Sequence, residues 1–490
     1  MDLWTFQRFQ RPLLCVESIE HEKGRATVRL HSGANIYRLA FDDDEAAAQL
    51  AADLGTLRHS DAPLWTLLRD SAPESPWFSL GAFLDTHSLI AEGRDDAIYQ
   101  LTAQRERVQA VVASTRAVLL SGLAPERRAI LSKHATMMRQ ALLLPFGLDP
   151  ELFDPAKQPN FFLALLTLEF EYFRRFSPLT LAAADLLLSS LVEESETIDC
   201  LRDDVSDVAG LYDERDLLAH LWLVGCSLVC STGEDAVRMP TASIPEVRLA
   251  SGLEFMRQTE LLTRETLLGW GENPYVTAVD ALGGKYSPLV AGPFIEQYHV
   301  TRRFVEIIAP LLSTRLAKPL RSIAFRYYSE EYGHEALEST TCEALGVAEA
   351  TLEKVVPLPL HFAFVDMLTL FADVDPITSF AAVMTIEGIF GEPPKMSLRL
   401  VAAARENAAF RAVASEHDEL NESLNHNSIS RNLFEQLLAV SPGRQIATMR
   451  RILFLLELNH RAWGDIADFY GAQERLTLQG VFGQSLAPRG

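Results

Sequence analysis

Cysteine is scarce in this chain: there are five in 490 residues, at Cys15, Cys200, Cys226, Cys230 and Cys342. An odd, scattered set excludes a disulfide framework and points to a reducing compartment. Only Cys226 and Cys230 lie close together, inside an apolar stretch, and no second pair completes a zinc set. They are expected as core thiols. Positive charge is in deficit as well, with 44 Lys plus Arg against 66 Asp plus Glu and a formal net charge of -22. A surface of that sign repels phosphate, so neither nucleic acid nor an anionic membrane is expected as a partner. Long apolar runs are missing. The stretches 217–230 and 362–371 are interrupted by His220 and Asp366 and fall short of the roughly 18 residues that span a bilayer. The amino terminus has no basic segment followed by an apolar core, so no signal peptide is expected and the location reads as cytoplasmic.

Gly/Pro clusters are sparse while Leu and Ala abound, which favours helix over sheet. The hydrophobic share of 48% and charged share of 22% are those of a globular protein, and the length predicts two or three domains. Strand character is concentrated near the start. Residues 14–19 and 26–30 alternate apolar and polar side chains, 33–40 continue the pattern, and Glu22-Lys23-Gly24 supplies a turn. The acidic run from Asp42 to Glu45 then opens a helix, and Leu64–Leu68 and Leu80–Leu89 predict two more. This three-strand, three-helix module over residues 1–95 resembles the PqqD-like peptide-recognition domains attached to enzymes that modify ribosomal peptides. A docking or dimerisation module, and with it a homodimer, is the alternative.

Helical periodicity fills the rest. Residues 96–240 predict one helical domain, with His134 and His220 isolated and expected as ordinary core or surface histidines. The Ser/Thr/Gly/Pro-containing segment 231–245 reads as a domain boundary. Residues 246–475 predict a second helical domain, including single helices over 293–314, 319–345 and 397–425 and a long final helix. The expected fold class is therefore mainly α, with two helical domains behind a small α+β module.

Chemistry-bearing residues concentrate in the second helical domain. Glu330 and His334 are four apart, and Glu331 and His334 three apart. On a regular helix these offsets are about 40° and 60°, so either pair converges on one ion. Glu387 lies in an apolar run where a lone carboxylate requires a partner or a metal. His417 and Asn421 share a face, whereas His426 is about 180° from His417 on a regular helix. Glu296 and His299 form another three-residue pair. Acids are so numerous that spacing alone also fits ordinary surface residues.

Taken in order, Glu330 to His334, Leu345-Gly346, Pro357, Asp375-Pro376, Glu387-Gly388 and His417 to Asn421 resemble the heme-oxygenase-like di-iron oxidases. That superfamily also includes the thiaminase-like (TenA) and pyrroloquinoline-quinone-synthase-like (PqqC) proteins. The resemblance covers about residues 290–440. It implies a heme-oxygenase-like bundle of seven or eight helices around a pocket, with metal ligands from a Glu…His helix, an isolated Glu and a closing His-x-x-x-Asp-x-x-His helix. Glu330 or Glu331, His334, Glu387 and His417 match. Asn421 stands where the closing helix has Asp, and Leu424 stands where it has its second His. His426 replaces that His only through a local irregularity. An Asn carbonyl is a weak ligand for iron, so one metal, two or none remain open.

The implied function is a non-heme iron, O2-dependent oxidoreductase in a biosynthetic pathway, acting on a small or carrier/peptide-bound substrate. Tyr298, Tyr327, Glu296 and His299 would contact that substrate, with Tyr328 and Phe390 also lining the pocket. The alternative is a non-catalytic or metal-free protein of the same fold that binds a partner or small ligand.

Overall fold

The computed structural model describes residues 12–486 except 34, 58–61, 73–74, 93, 122, 145–146, 193–212, 284, 388–395, 405–406, 414–428 and 480–484. Side chains at 69–70, 92–102, 385–387, 396–398 and 485–486 are also outside the description. The chain divides into two compact units, Met1–Glu106 and Arg107–Gly490.

In the first unit, β1 (Pro12–Leu14) pairs antiparallel with β5 (Ile90–Glu92), and β2 (Ser18–Glu22), β3 (Thr27–Ser32) and β4 (Asn35–Ala40) form an antiparallel sheet in that order. Period-two alternation places Val28 and Leu30 inward. They pack with Leu50, Leu54, Trp65 and Leu84 from α1 (Asp44–Thr56), α2 (Pro63–Asp70) and α3 (Pro76–Thr86). The acidic run caps α1 as expected: the Asp43 carboxylate accepts from Ala46 N at 2.7 Å, with Asp44 and Glu45 in the first turn. The predicted helix over 80–89 stops earlier. Helix α3 ends at Thr86, Ser88 takes a left-handed φ of 54°, and the chain turns into β5.

Helix α4 (Arg94–Leu120) runs from the first unit into the second. There α5 (Pro125–Leu143), α6 (Phe161–Phe176), α7 (Pro178–Val192) and α8 (Glu214–Cys230) precede the 231–251 segment. After it come α9 (Gly252–Trp270), α10 (Pro274–Ala281), α11 (Pro288–Arg302), α12 (Phe304–Ser313), α13 (Lys318–Glu331) and α14 (Glu335–Ala344). The chain continues through α15 (Glu349–Leu352), α16 (Pro359–Val374), α17 (Pro376–Glu387), α18 (Met396–Ala403), α19 (Ile429–Glu435) and α20 (Pro442–Gly471). A short hairpin, β6 (Leu478–Gln479) with β7 (Ser485–Leu486), follows.

Helices α6 and α16 are buried on nearly every face, as helices apolar all round must be. The main core joins them to α8 and α20. Phe161 of α6 stacks on Phe454 of α20 at 5.2 Å, and Phe371 of α16 lies beside Phe153, which meets Phe454 edge-on. Residues on both sides of 240 thus share one core. The segment expected as a domain boundary is bound to that core instead. Arg238 Nε donates to the buried Glu457 carboxylate at 2.6 Å, and Met239 N donates to its other oxygen at 2.9 Å. Turn-forming residues marked a loop, and that loop crosses a single unit.

Two predicted helices are broken. The one over 293–314 splits at Arg303 (φ -96°, ψ 5°) into α11 and α12. The one over 319–345 splits at Tyr332–His334, where Gly333 has φ 93°. Of the helix expected over 397–425, α18 accounts for the start, and 414–428 lie outside the described residues. The final long helix is present as α20. No helix among the described residues is long and apolar enough to cross a membrane.

Candidate functional site

The α13–α14 break decides how the predicted pair is built. Helix α13 ends at Glu331, Tyr332 turns extended (φ -67°, ψ 117°), and Gly333 occupies a left-handed conformation that an L side chain adopts only with strain. His334 then stands at the N-cap position of α14, without a side-chain capping bond. The regular-helix offsets expected for the two acids do not apply across this turn, and the turn distinguishes them. Glu331 Oε2 lies 3.0 Å from His334 Nδ1, and both residues are buried, at 4% and 8% exposure. Glu330 turns away into an ion pair with Arg326 at 3.3 Å. One turn into α14, Glu338 is buried as well.

Tyr327, one turn before Glu331, is buried and meets Phe304 of α12 edge-on at 5.7 Å. Helix α14 packs against α11, which carries the other predicted pair. Glu296 there is buried and fully engaged: Leu358 N donates to Oε2 at 2.8 Å and Tyr470 Oη to Oε1 at 2.7 Å. It ties α11 to the start of α16 and the end of α20. Burial pushes its carboxyl up to about 7, against the pull of those two donors. His299 is also buried. Desolvation, then the charges of Arg215, Arg302 and Arg303, push its imidazole well below the ordinary range, so it is neutral. The Tyr298 ring lies 5.2 Å from it, and burial raises the Tyr298 phenol. Cys342 of α14 is buried, its thiol pushed well above the usual range by burial and then by the Glu338 and Glu296 carboxyls.

Among the described residues no group of three or more His, Cys, Asp or Glu side chains is disposed to hold a metal ion. Glu331 and His334 form a pair. The side chain of Glu387, and all of His417, Asn421 and His426, lie outside the described residues. Phe390 does too.

No protein-family model matches the chain, and no curated protein matches it. Among solved structures it is similar to a domain of unknown function with a heme oxygenase-like fold from Shewanella denitrificans OS217. Identity is 16%, covering 44% of this chain and 92% of that one, with a TM-score of 0.36.

Several buried or partly buried polar residues had no signal in the spacing. His361 on α16 is buried, and desolvation pushes its imidazole down to about 3. His134, expected to be ordinary, lies 2.8 Å from Ser231 Oγ through Nδ1. His220, expected likewise, contacts Asp366 at 3.1 Å across 146 residues of sequence. Neither partner was detectable, because pairings of that range leave no periodic trace. Cys226 and Cys230, expected as core thiols, are not both in the core: Cys226 is partly buried and Cys230 is exposed at the end of α8, although desolvation by the surrounding helices pushes their thiols up to about 12 and about 11.

Proposed function

We propose that the carboxy-terminal helices hold non-heme iron at the Glu331–His334 pair and carry out an O2-dependent oxidation of a small or carrier/peptide-bound substrate. The observation that carries this reading is the pair itself: a buried carboxylate and a buried imidazole brought together by a glycine-dependent break. One carboxylate and one imidazole are donors that suit iron. Ligands at right angles on an ion with bonds of about 2.1 Å lie about 3 Å apart, and the Glu331–His334 separation is 3.0 Å. Glu387, His417, Asn421 and His426 would supply further ligands. Iron bound there would supply redox chemistry toward O2, with the substrate that is oxidised as the net source of electrons.

The residues of the chain do the rest. Burial of Glu331 and His334 excludes water from their donor atoms. The Gly333 turn fixes their approach, and the Glu330–Arg326 pair secures the outer face of α13. Tyr327 and Phe304 form an aromatic wall one turn away. A peptide portion of the substrate fits the first unit, whose sheet ends in the edge strand β4 with Ile36 54% exposed. Such an edge can accept an extended segment as an added strand.

The test is iron content of the full chain produced with iron supplied. One or two irons per chain, lost in both Glu331→Ala and His334→Ala while helical circular dichroism is retained, is the expected result. A folded wild-type protein without iron, or variants that keep it, would overturn the proposal in favour of a metal-free binding protein.

A further inference from the structure

Asp366, fully buried on α16, is held from two other elements. Arg303 Nη2 donates to its Oδ1 at 2.7 Å, and His220 Nε2 of α8 lies 3.1 Å from its Oδ2. The same Arg303 nitrogen donates to Tyr172 Oη of α6 at 2.9 Å, and Arg303 Nε donates to Glu306 at 3.0 Å. The guanidinium also lies over the Phe362 ring at 4.4 Å. Burial alone would raise the Asp366 carboxyl, but Arg303 and His220 outweigh it and hold it down to about 2.

Facing Asp366 is a second carboxyl, Glu169 of α6, also with no exposed surface. No donor among the described residues reaches either of its oxygens. Two carboxyls side by side in a dry core do not both ionise. Asp366 is already committed to the charged form, so Glu169 carries the proton. Burial first, and the Asp366 charge second, push it well above the usual carboxylate range, with Arg303 offsetting only part. The groups around this point are Asp366, Arg303, His220, Tyr172 and Glu306. Burial pushes the Tyr172 phenol well above its usual range, so it adds no charge, and Glu306 stands half-exposed at the rim. Ionising Glu169 would set a third carboxylate around one guanidinium.

We propose that Glu169 and Asp366 form a proton-dependent latch, which closes α6 and α8 on α16 while Glu169 is protonated and releases them when it ionises. The latch acts on helix packing and uses neither Glu331 nor His334. It links helices before residue 240 to helices after it, so its release loosens that joint.

Hydrogen exchange of the full chain between pH 6 and pH 9, corrected for intrinsic exchange, tests this. Protection of α6, α8 and α16 relative to α10, which packs in a different cluster, is expected to fall by up to about tenfold per pH unit wherever Glu169 is protonated in the closed form and ionised in the released one. Glu169→Gln, which keeps the shape without the charge, is expected to remove that fall. An infrared band of a protonated carboxyl, present in the wild type and absent in Glu169→Gln, is the companion readout. Protection that stays constant in the wild type to pH 9, or that falls equally in the variant, would overturn the latch. If Glu169→Gln does not fold, the wild-type profile alone decides.

Discussion

Glu296 illustrates what a single buried carboxyl does to pH dependence. Its folded-state value is raised from 4.5 to about 7. A raised value means that its contribution to stability is complete below the unfolded range and is lost as pH rises through about 7. The size follows from the shift, about 3 kcal/mol. Glu296→Gln is therefore expected to flatten the loss of unfolding free energy between pH 5 and pH 8, measured by urea titration. Equal losses in variant and wild type would show that Glu296 does not set the slope. Asp465, pushed up to about 7 by burial and by Asp468, acts in the same direction and leaves a residual slope in the variant.

Two glycines show how elements place those side chains. Gly333 has φ 93° with nothing within 4 Å of an added Cβ, so the cost of Gly333→Ala is conformational. It is about 1–2 kcal/mol, and because the turn sets the Glu331–His334 approach, iron retention should fall with it. Gly292 poses the opposite case: an added Cβ would lie 2.6 Å from the Tyr470 ring, where α11 meets α20. Gly292→Ala is expected to cost about 1–3 kcal/mol by overpacking and to disturb the Glu296–Tyr470 bond, with thermal melts and iron per chain checking both variants. Element type was largely legible from periodicity and capping, as α1 behind Asp43 and the long α20 show. The breaks at Arg303 and Gly333 were not, because the apolar repeat continues through both. The Glu331–His334 pair was therefore found for a regular-helix reason that the chain does not use, and the choice of Glu331 over Glu330 required the turn. The Asp366 hub was invisible for a different reason: its members meet only through tertiary packing.

At the scale of the whole molecule, the shared core makes residue 240 a poor place to divide the chain. A fragment beginning at Arg94, which keeps all of α4, retains the contacts of Phe161 with Phe454, Arg238 with Glu457, and His220 and Tyr172 with the Asp366–Arg303 pair. A fragment of residues 246–475 loses every one of these. It would expose the faces of α16 and α20 that α6 and α8 cover, and leave Glu457 without Arg238. Glu457 would keep Arg461 at 2.9 Å, but the lost Arg238 bond and the uncovered apolar faces draw on a margin of only roughly 5–15 kcal/mol that holds a domain folded. The fragment from Arg94 is expected to melt cooperatively and to bind iron as the full chain does. Residues 246–475 alone are expected to melt without a cooperative transition and to bind a hydrophobic dye. A cooperative melt of 246–475 by itself would mean that the carboxy-terminal helices are an independent domain after all, and that the buried pairs crossing residue 240 are dispensable to it.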